Sequence, residues 1–478
     1  MITQFREFED KNQLFTLEIN GVRFWHLVRF DIYNSILNNK KGYSEAQGTR
    51  IRYSKKKYVE SKFKQVKYLF SYKKILSSPR KDILVLDHPR KVLDESNYYI
   101  DLYTNFLLSE YTENIMFLDE PLKNEHMSPQ KDGNIFYTDI INLEYNLKKI
   151  IYRKGTFYNN KKNINIVEDL INSINLEFGI KLSSHFWNIK IIDKILFFKI
   201  ACKYIEKILK HIKPKVIIEV VSYTGIRFAV NYIAKKLNIE TIELQHGLIG
   251  PNHVAYNISK INELYYFPNR IFTFGDYWNE HSDIPLSSNM VEAVGFPYLE
   301  IRKDHESVQK DKNSILFISQ GTIGKELSKF AIEVEKIYGE DYSIEYKLHP
   351  GEYDNWEKNY PWLLESNIRV IGDDGYDIYF YYNTAVCVIG VYSTALIEAL
   401  YYDLNVLIYN TIGSEYLNDF IEFGDMNIIQ NGSDISKYLN IVQEHKNYNY
   451  YWREHPRENV IFKINQILEE KEGDNEFK

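Results

Sequence analysis

Cysteine is nearly absent from this sequence of 478 residues, which contains only Cys202 and Cys387. Both lie in apolar runs, so buried free thiols in a reducing compartment are expected instead of a disulfide framework or a cysteine metal site. No stretch approaches the roughly 20 consecutive apolar residues that a membrane-spanning helix needs, and the first ten residues lack the apolar core of a signal peptide. These absences predict a cytoplasmic protein that contacts a membrane at most from its surface.

A strong charge of one sign is also missing, as are the common short catalytic motifs. The net charge is -6, with 59 basic and 65 acidic residues, so the composition gives no case for nucleic-acid binding. The chain has no Walker-type lysine loop, no Gly-x-Gly-x-x-Gly after a strand, no His-Glu-x-x-His and no cysteine pair. Neither a metal ion nor any other cofactor is therefore predicted.

The length and the pattern of apolar runs predict two domains. A chain of 478 residues is too long for one ordinary core. Short strand-like runs alternate with helical patterns, first from Lys81 and again from Ser314, which favours α/β domains with parallel sheets. We predict an N-terminal helical appendage (1–76), a first Rossmann-like domain (77–299), a polar linker (300–313) and a second Rossmann-like domain (314–478).

One segment near the N-terminus is strongly basic. Residues 52–74 contain nine basic residues and one acidic residue, Glu60, with aromatic residues interleaved among them. A basic amphipathic segment of this kind either lies on the anionic inner face of the cell membrane or forms a solvated helical face. The sequence leaves both interpretations open.

Two motifs in the second half combine a strand end with a helix start. Gln320-Gly321-Thr322 follows a strand-like run and precedes a helical one, so its backbone N–H groups and hydroxyl can face a phosphate. Ser393-Thr394 also opens a helix, where serine and threonine either cap the helix or bind an anion. Both motifs are therefore candidates for holding the phosphate of a nucleotide.

A histidine and a glutamate complete this candidate donor site. His349 follows a strand-like run and is stiffened by Pro350, so it can donate a hydrogen bond or a proton to a phosphate leaving group. Glu398 lies one turn into the helix that Ser393 opens, where it can accept hydrogen bonds from ribose hydroxyls. All of these residues are expected at the carboxyl ends of parallel strands, where α/β sheets bind ligands.

The first half offers candidates for the acceptor side. Gln245-His246-Gly247 ends a strand-like run and puts a polar pair beside a glycine where the backbone must turn. Glu219 stands in an otherwise apolar run, so it is either solvated at a strand end or a partly buried base with a raised pKa. Two further polar residues follow the first strand-like run and are either acceptor ligands or plain loop residues, namely His88 and Arg90.

Three of these motifs, in this order, carry a family resemblance: Leu-Gln-His-Gly at 244–247, Lys-Leu-His-Pro at 347–350 and Tyr-Ser-Thr-x-x-x-Glu at 392–398. Over about residues 80–470 the sequence resembles bacterial GT-B glycosyltransferases of surface-polysaccharide synthesis. The resemblance is to capsule-type enzymes that use CMP-linked sialic acid or Kdo, and more distantly to the CDP-glycerol polymerases of teichoic acid synthesis.

The resemblance implies two doubly wound Rossmann-like domains facing across a cleft, and an inverting transfer from a CMP-linked donor to an oligosaccharide or lipid-linked glycan. It implies that His349, Ser393 and Thr394 hold the nucleotide phosphate. Similar sialyltransferases carry an acidic pair followed by glycine as the base in the N-terminal domain. This chain lacks that motif there, so Glu219 or His246 is predicted to take the proton. These two residues and His349 are the predicted catalytic residues, and they are chosen by their residue type and by their position in the sequence.

Three other functions fit the same motifs. A CDP-polyol phosphotransferase would attack phosphorus instead of the anomeric carbon. A nucleotide-sugar epimerase shares the two-domain architecture and would convert its donor without an acceptor. A non-catalytic GT-B scaffold would bind a nucleotide weakly and would not need Glu219.

Overall fold

In a computed structural model the chain forms two compact units. The first unit contains the described residues up to Gly295 and those from His455 onward, and the second contains those from Phe296 to Glu454. None of the described helices has the length and apolar character needed to span a bilayer. The structure describes residues 1–41, 68–88, 91–94, 96–122, 124–130, 135–260, 262–305, 313–374, 376–439 and 448–476.

Strands and helices alternate along most of the described chain. The strands are β1 (Glu18–Ile19), β2 (Val22–Arg23), β3 (Ile83–Leu86), β4 (Val92–Leu93), β5 (Tyr99–Ile100), β6 (Ile115–Asp119), β7 (Ile135–Tyr137), β8 (Val216–Val220), β9 (Glu240–Leu244), β10 (Arg270–Thr273), β11 (Val291–Ala293), β12 (Ser314–Ile318), β13 (Ser343–Lys347), β14 (Arg369–Ile371), β15 (Ala385–Gly390), β16 (Asn405–Tyr409) and β17 (Asn427–Ile429). The α-helices are α1 (Ile2–Lys11), α2 (Trp25–Lys41), α3 (Ser71–Ile75), α4 (Asn105–Tyr111), α5 (Asp139–Tyr152), α6 (Thr156–Asn159), α7 (Lys161–Phe178), α8 (Ser184–Ile212), α9 (Arg227–Lys236), α10 (Asp276–Glu280), α11 (Pro297–His305), α12 (Gly324–Tyr338), α13 (Trp356–Asn359), α14 (Ile378–Tyr382), α15 (Thr394–Tyr401), α16 (Asn418–Glu422), α17 (Tyr448–Tyr451) and α18 (Pro456–Glu476).

A seven-stranded sheet lies at the centre of the first unit, in the order β11-β10-β9-β8-β3-β6-β7. All of its neighbouring strands pair in parallel. Its central strands are nearly continuous apolar runs, as expected where helices cover both faces of a sheet. The strand order reverses between β3 and β8, so this unit is doubly wound and has its switch point there.

A six-stranded parallel sheet lies at the centre of the second unit, in the order β14-β13-β12-β15-β16-β17. Written in order of appearance this is 3-2-1-4-5-6, the Rossmann order, with its switch point between β12 and β15. Strand residues such as Phe317, Tyr346 and Ile389 form a buried core with one face of α12. The prediction of two doubly wound Rossmann-like units, which a GT-B fold requires, is confirmed by the two sheet topologies.

The N-terminal segment packs on the first unit and contains a buried ion pair that is also hydrogen bonded to a distant loop. Arg29 Nε lies 2.7 Å from Glu9 Oε1, and both side chains are buried. The same guanidinium donates to the carbonyl oxygen of Val254, far along the chain. A buried charge pair needs such additional hydrogen bonds to offset its desolvation. Residues 1–41 of the predicted appendage 1–76 are therefore grouped with the first unit, as are its described residues 68–76.

The C-terminal helix also belongs to the first unit, although the sequence prediction placed it in a second domain ending at residue 478. Val460, Ile464 and Ile467 of α18 are buried in the same core cluster as Ile83 and Val85 of β3. The apolar positions of α18 have their partners hundreds of residues earlier, so the sequence order alone assigned it to the wrong unit.

The predicted linker is partly helical. Residues 300–305 belong to α11, which begins with proline, a favoured residue in the first turn of a helix. Leu299 of this helix is buried, and Arg302 pairs with Asp377 at 3.0 Å. The change of unit therefore lies between Gly295 and Phe296, before this helix.

Candidate functional site

The predicted phosphate loop after β12 contacts the loop after β15 across the switch point of the second sheet. The Gln320 Nε2 donates to the carbonyl oxygen of Tyr392 at 3.1 Å, and the hydroxyls of Thr322 and Tyr392 are hydrogen bonded. Gly321 and Thr322 are exposed, whereas Gln320 is partly buried. Two of the three predicted donor-site loops are thus joined at one sheet edge, where a Rossmann-like unit binds ligands.

His349 lies one strand further along the same edge, after β13. Its Nδ1 accepts a hydrogen bond from the backbone N–H of Gly351 at 3.1 Å, so the neutral imidazole carries its proton on Nε2. His349 and Pro350 are both exposed. The loop is tied to the first loop because the backbone N–H of Ser319 donates to the carbonyl of Lys347 at 2.9 Å. His349 can therefore offer a hydrogen-bond donor to an anion at this edge.

A buried carboxylate that the sequence analysis missed supports the His349 loop from below. Glu352 Oε2 accepts the backbone N–H of His349 at 2.8 Å. Its Oε1 accepts the hydroxyls of Tyr360 at 2.5 Å and Ser319 at 3.1 Å. The only sequence signal was an acidic residue three positions after the histidine, because the other partners come from distant segments. Glu352 thus fixes the position of the His349 backbone.

The same carboxylate lies at the first turn of α12. A Cβ placed on Gly324, the first residue of that helix, would clash with the Glu352 carboxylate and the Tyr360 hydroxyl. The positive end of the α12 dipole therefore already faces an internal anion. The groups that Gln320-Gly321-Thr322 can offer to the predicted phosphate are thus those of the loop itself, its backbone and the Thr322 hydroxyl, more than the end of the helix that follows.

Ser393 and Thr394 open α15 as the sequence predicts. The Ser393 hydroxyl caps the helix by accepting from the backbone N–H of Ala395 at 3.3 Å, and both residues are partly exposed. Gly413 approaches from the loop after β16 with φ +103°, and a side chain there would meet the ring of Tyr392. Glycine at this position lets that loop pack directly against the residue that precedes the cap.

Glu398 lies in the same helix, but its carboxylate faces the protein. The Tyr379 hydroxyl donates to Glu398 Oε2 at 2.9 Å. Burial raises the pKa of this carboxyl to about 7, with the nearby charge of Asp377 adding to the shift. The predicted contact with ribose hydroxyls would therefore have to be made by a carboxylate that is partly buried and already accepts a hydrogen bond from Tyr379.

In the first unit, Gln245 stabilises the loop after β9 and is not open to a substrate. Its side chain is buried, with Nε2 donating to the carbonyl of Gly247 at 2.8 Å and Oε1 accepting the backbone N–H of Phe274 at 2.8 Å. Both ends of the amide are thus used inside the protein. Gln245 orients the 245–247 loop, which differs from the direct acceptor contact predicted for it, and Gly247 contributes through its backbone.

His246, directly after Gln245, is partly exposed and lies in a cluster of tyrosine and histidine side chains. Its Nδ1 lies 3.5 Å from the Tyr256 hydroxyl, and its Nε2 lies 3.4 Å from the Tyr223 hydroxyl. The Tyr256 hydroxyl donates to Glu243 Oε1 at 2.7 Å. Glu243, Tyr256 and His246 therefore form a chain from a buried carboxylate to an accessible imidazole, a geometry that suits a general base.

Glu219 lies beneath this cluster instead of at the sheet edge. Its side chain is 0% exposed, and its Oε1 accepts from Asn231 Nδ2 at 2.6 Å. It pairs in register with Glu243 of the neighbouring strand. Burial, followed by the charge of Glu243, raises the pKa of Glu219 to about 8. A base must come within hydrogen-bond reach of the hydroxyl that it deprotonates, so the burial of Glu219 disfavours the direct role predicted for it.

His88 is near His246, with Tyr103 between them. The His88 ring packs edge-on to Tyr103 at 5.8 Å, and the Tyr103 hydroxyl donates to the carbonyl of His246 at 2.8 Å. The backbone N–H of His88 donates to Asp101 Oδ2 at 2.7 Å, which fixes the start of its loop. Arg90, the other predicted acceptor ligand after β3, lies outside the described residues.

A strained residue marks the switch point of the first sheet. Val221, immediately after β8, has φ +61°, a left-handed conformation that is unfavourable for a β-branched side chain. The turn directs the backbone N–H of Ser222 to Glu243 Oε1 at 3.0 Å. Tyr223, next in the chain, then reaches His246. Backbone strain of this kind is concentrated at functional sites. No pattern in the sequence predicted the left-handed conformation of Val221.

A buried ionic network joins the ends of three strands beside this turn. His126 lies between two carboxylates, with Nδ1 2.9 Å from Asp119 Oδ2 and Nε2 2.8 Å from Asp139 Oδ2. Burial lowers the pKa of His126, but the two hydrogen bonds outweigh it and raise the pKa to about 9. Lys91 adds an ion pair to Asp87. These contacts hold the loops after β3, β6 and β7 in place.

No protein-family model matches the sequence, and no curated protein matches it. Several solved structures are similar in fold. UDP-GlcNAc 2-epimerase from Methanocaldococcus jannaschii has 14% identity over 80% of this chain and 99% of its own, with a TM-score of 0.47. A putative UDP-N-acetylglucosamine 2-epimerase from Listeria monocytogenes has 14% identity over 82% of this chain and 98% of its own, with a TM-score of 0.49.

A variant of the wall teichoic acid polymerase TagF has 12% identity, covers 89% of this chain and 100% of its own, and has a TM-score of 0.47. The fold assignment rests on the two sheet topologies described above and not on these similarities.

Proposed function

We propose that this protein is a glycosyltransferase that moves a sugar from a CMP-linked donor onto a bacterial surface glycan by inverting displacement. The nucleotide binds at the carboxyl edge of the second sheet, and the acceptor binds at that of the first. The acceptor is an oligosaccharide or a lipid-linked glycan of a capsule, exopolysaccharide or lipooligosaccharide, and the reaction takes place in the cytoplasm, at the inner face of the membrane.

One observation carries the donor half of the proposal. The three loops that the sequence singled out, at 320–322, 349–350 and 393–394, meet at one edge of one Rossmann-ordered sheet. They bring together hydroxyls, backbone donors and an imidazole whose proton is held on Nε2. This set of donors matches the oxygens of a phosphate, and no lysine loop is needed for a leaving group with one phosphate.

The donor side stabilises the leaving group. As the bond between the anomeric carbon and the phosphate oxygen breaks, its electron pair passes to the CMP phosphate. His349 Nε2–H donates to that oxygen, and the α15 N-terminus with Ser393 and Thr394 faces the remaining charge. Fixed dipoles of this kind act where charge develops, so the proposed reaction derives its leaving-group stabilisation from protein groups.

The acceptor side supplies the base. The acceptor hydroxyl oxygen forms the new bond to the anomeric carbon, and its proton passes to the imidazole of His246. Glu243, which acts through Tyr256, stabilises the imidazolium that results. Glu219 lies below the edge in this assignment, where it is paired with Asn231.

A thermal-shift panel of CMP, CDP, UDP and GDP tests the donor assignment. Selective stabilisation by CMP is expected, because a ligand at about 100 times its Kd adds roughly 2.7 kcal/mol to the free energy of unfolding. The substitutions His349→Ala and Ser393→Ala should abolish the shift. The matched control His185→Ala changes an exposed histidine of the first unit and should retain it.

Other results would indicate a different function or a different set of site residues. Stabilisation by CDP alone would favour polyol-phosphate transfer, and stabilisation by UDP alone would contradict the CMP donor. Conversion of a nucleotide sugar in the absence of any acceptor would identify an epimerase. A CMP shift that is unchanged in His349→Ala would remove His349 from the donor site.

A further inference from the structure

Helix α5 carries an apolar stripe on its exposed side. Leu143, Leu147, Ile150 and Ile151 are all exposed, the two isoleucines at 76% and 69%. Their spacing places them on one face of the helix. The other face packs on α8, where Lys149 pairs with Asp193 at 2.5 Å. Four large aliphatic side chains exposed on one helical face form a contiguous apolar patch. Patches of this kind mark interaction sites.

The stripe is surrounded by positive charge in a chain that is acidic as a whole. Residues 139–162 contain six basic and two acidic residues, whereas the chain has a net charge of -6. One of the two carboxylates, Asp139, is occupied by the buried His126. Arg153 and Lys154, which follow the stripe at the helix end, are both exposed. Apolar residues flanked by lysine and arginine are typical of helices that lie in a membrane interface.

A pocket opens beside the stripe, between α5, α6 and α8. Its volume is about 400 Å³, and its lining combines Lys148, Lys199 and Lys203 with apolar residues that include Ile151 and Phe157. Glu144 is shared by Lys148 and Lys203, each at 2.7 Å, so one carboxylate faces two ammonium groups. The pocket thus offers excess positive charge next to apolar walls, which suits a phosphate with attached hydrocarbon.

The described end of the basic segment, residues 68–74, lies near the same helices. Tyr72 of α3 packs edge-on to Tyr204 of α8 at 5.0 Å, and the Tyr204 hydroxyl donates to Glu144 Oε2 of α5 at 2.6 Å. Helix α3 is therefore linked to α5 through Tyr204 of α8. Phe70, just before α3, is 63% exposed. Residues 52–67, which carry most of the basic charge, lie outside the described residues.

We propose that the exposed face of α5 and the adjoining pocket dock this protein on an anionic phospholipid surface. The isoleucines enter the interface between headgroups and acyl chains, and the lysines and Arg153 contact lipid phosphates. The residues of this surface all belong to the first unit, and none of them is among the residues assigned to the donor or the acceptor. The docking surface rests on the membrane location given in the proposed function, to which it adds the residues that make the contact. Its test does not depend on the donor, because vesicle binding is measured without any nucleotide.

Co-sedimentation of the full chain with vesicles tests this docking surface. Wild-type protein should bind vesicles of phosphatidylcholine with one third phosphatidylglycerol, and binding should fall as salt is raised. The double substitution Ile150→Glu and Ile151→Glu should weaken this binding by at least about tenfold. Both side chains are exposed, so the melting temperature and the CMP shift should stay as in wild type.

The matched control is Phe462→Glu, which changes an aromatic residue of α18 that is 66% exposed. It should bind vesicles as wild type does, because α18 packs on α4 and β8 and Phe462 is not part of the α5 stripe. Equal binding by the double variant and wild type would overturn the proposal, as would equal binding to pure phosphatidylcholine. If wild type sediments as a dimer and the double variant as a monomer, a second copy covers this face and the membrane assignment is wrong.

Discussion

Burial raises the pKa of the Glu219 carboxyl to about 8, and the charge of Glu243 on the neighbouring strand adds to this shift. His349 is exposed instead, and its tautomer is set by the hydrogen bond that Nδ1 accepts from the backbone of Gly351. Both residues have the residue types of acid–base catalysts, but Glu219 stands inside a strand and His349 follows one. Their surroundings nevertheless give them different roles, since only the exposed group can meet a substrate.

Replacing Glu219 by Gln should stabilise the protein at neutral and alkaline pH. The folded-state pKa is raised above the unfolded value of about 4.5, so the unfolded state alone ionises as the pH rises from about 4.5 to about 8. The wild type loses stability over this window, and glutamine cannot ionise. Urea unfolding at pH 8 should therefore show a gain on the order of 2 kcal/mol that disappears near pH 4.5.

The control for this substitution is Glu469→Gln, an exposed position in α18, which should change little at any pH. Transferase activity in Glu219→Gln should stay within about tenfold of wild type, because loss of a general base typically costs 10²–10⁴-fold. A larger loss in a folded variant would restore Glu219 as the base and contradict the assignment to His246.

At the scale of elements, the start of α12 depends on a close contact between glycine and an internal carboxylate. Gly324 lies against the Glu352 carboxylate and the Tyr360 hydroxyl. The same carboxylate holds the backbone of His349. One tight contact thus sets both the entry of α12 into the core and the geometry of the predicted donor loop.

Gly324→Ala should destabilise the protein by about 1–3 kcal/mol, because the added methyl forces Glu352 or Tyr360 to move in a packed core. It should also weaken the CMP shift, since movement of Glu352 displaces the His349 loop. Urea midpoints and the nucleotide panel measure the two effects. Gly372→Ala is the matched control, because a Cβ there meets nothing within 4 Å. Equal midpoints for the two variants would show that Glu352 is free to move.

Elements whose apolar residues are contiguous could be predicted from the sequence, whereas elements whose partners are distant could not. The runs at 83–86, 216–220 and 385–390 are buried strands, and each has almost no polar residue to confuse the pattern. In 139–178 three helices form in a stretch whose abundant asparagine and lysine residues obscured their amphipathic spacing. Helix α18 has a clear helical pattern, but its core partners are in β3 and β8.

The residues of the candidate site also fall into two groups, those that local sequence predicts and those whose position depends on distant partners. The loops at 320–322, 349–350 and 393–394 could be located, because strand ends and helix starts are local signals. The direction of a side chain is not a local property: Gln245 turns inward because Phe274, 29 residues later, supplies a donor. Glu352 was missed for the same reason, since the hydroxyls that it accepts belong to Ser319 and Tyr360.

At the scale of the whole molecule, the loops of the first unit are held by charges at the ends of its strands. His126 links Asp119, at the end of β6, to Asp139, the first residue of α5. Helix α5 also carries the proposed membrane face. One buried histidine therefore connects the sheet edge near the candidate acceptor side to the helix that is proposed to dock on lipid.

The charge on His126 should make stability depend on pH in the alkaline range. Its folded-state pKa of about 9 lies above the unfolded value of about 6.5, so its contribution is fully present below about pH 6.5 and is lost as the pH rises through about 9. The difference corresponds to about 3 kcal/mol for a group this deeply buried. His126→Gln should be less stable than wild type by an amount of this order at pH 6.5, and the two urea midpoints should converge by about pH 9.5.

His185→Gln, at an exposed position, controls for general alkaline effects. A constant difference across this range would mean that His126 is neutral in the folded protein and acts only through its shape. His126→Gln should also bind vesicles more weakly than wild type at neutral pH, because loss of the His126 contacts loosens α5. The thermal shift produced by CMP should be unchanged, because CMP is proposed to bind to the second unit.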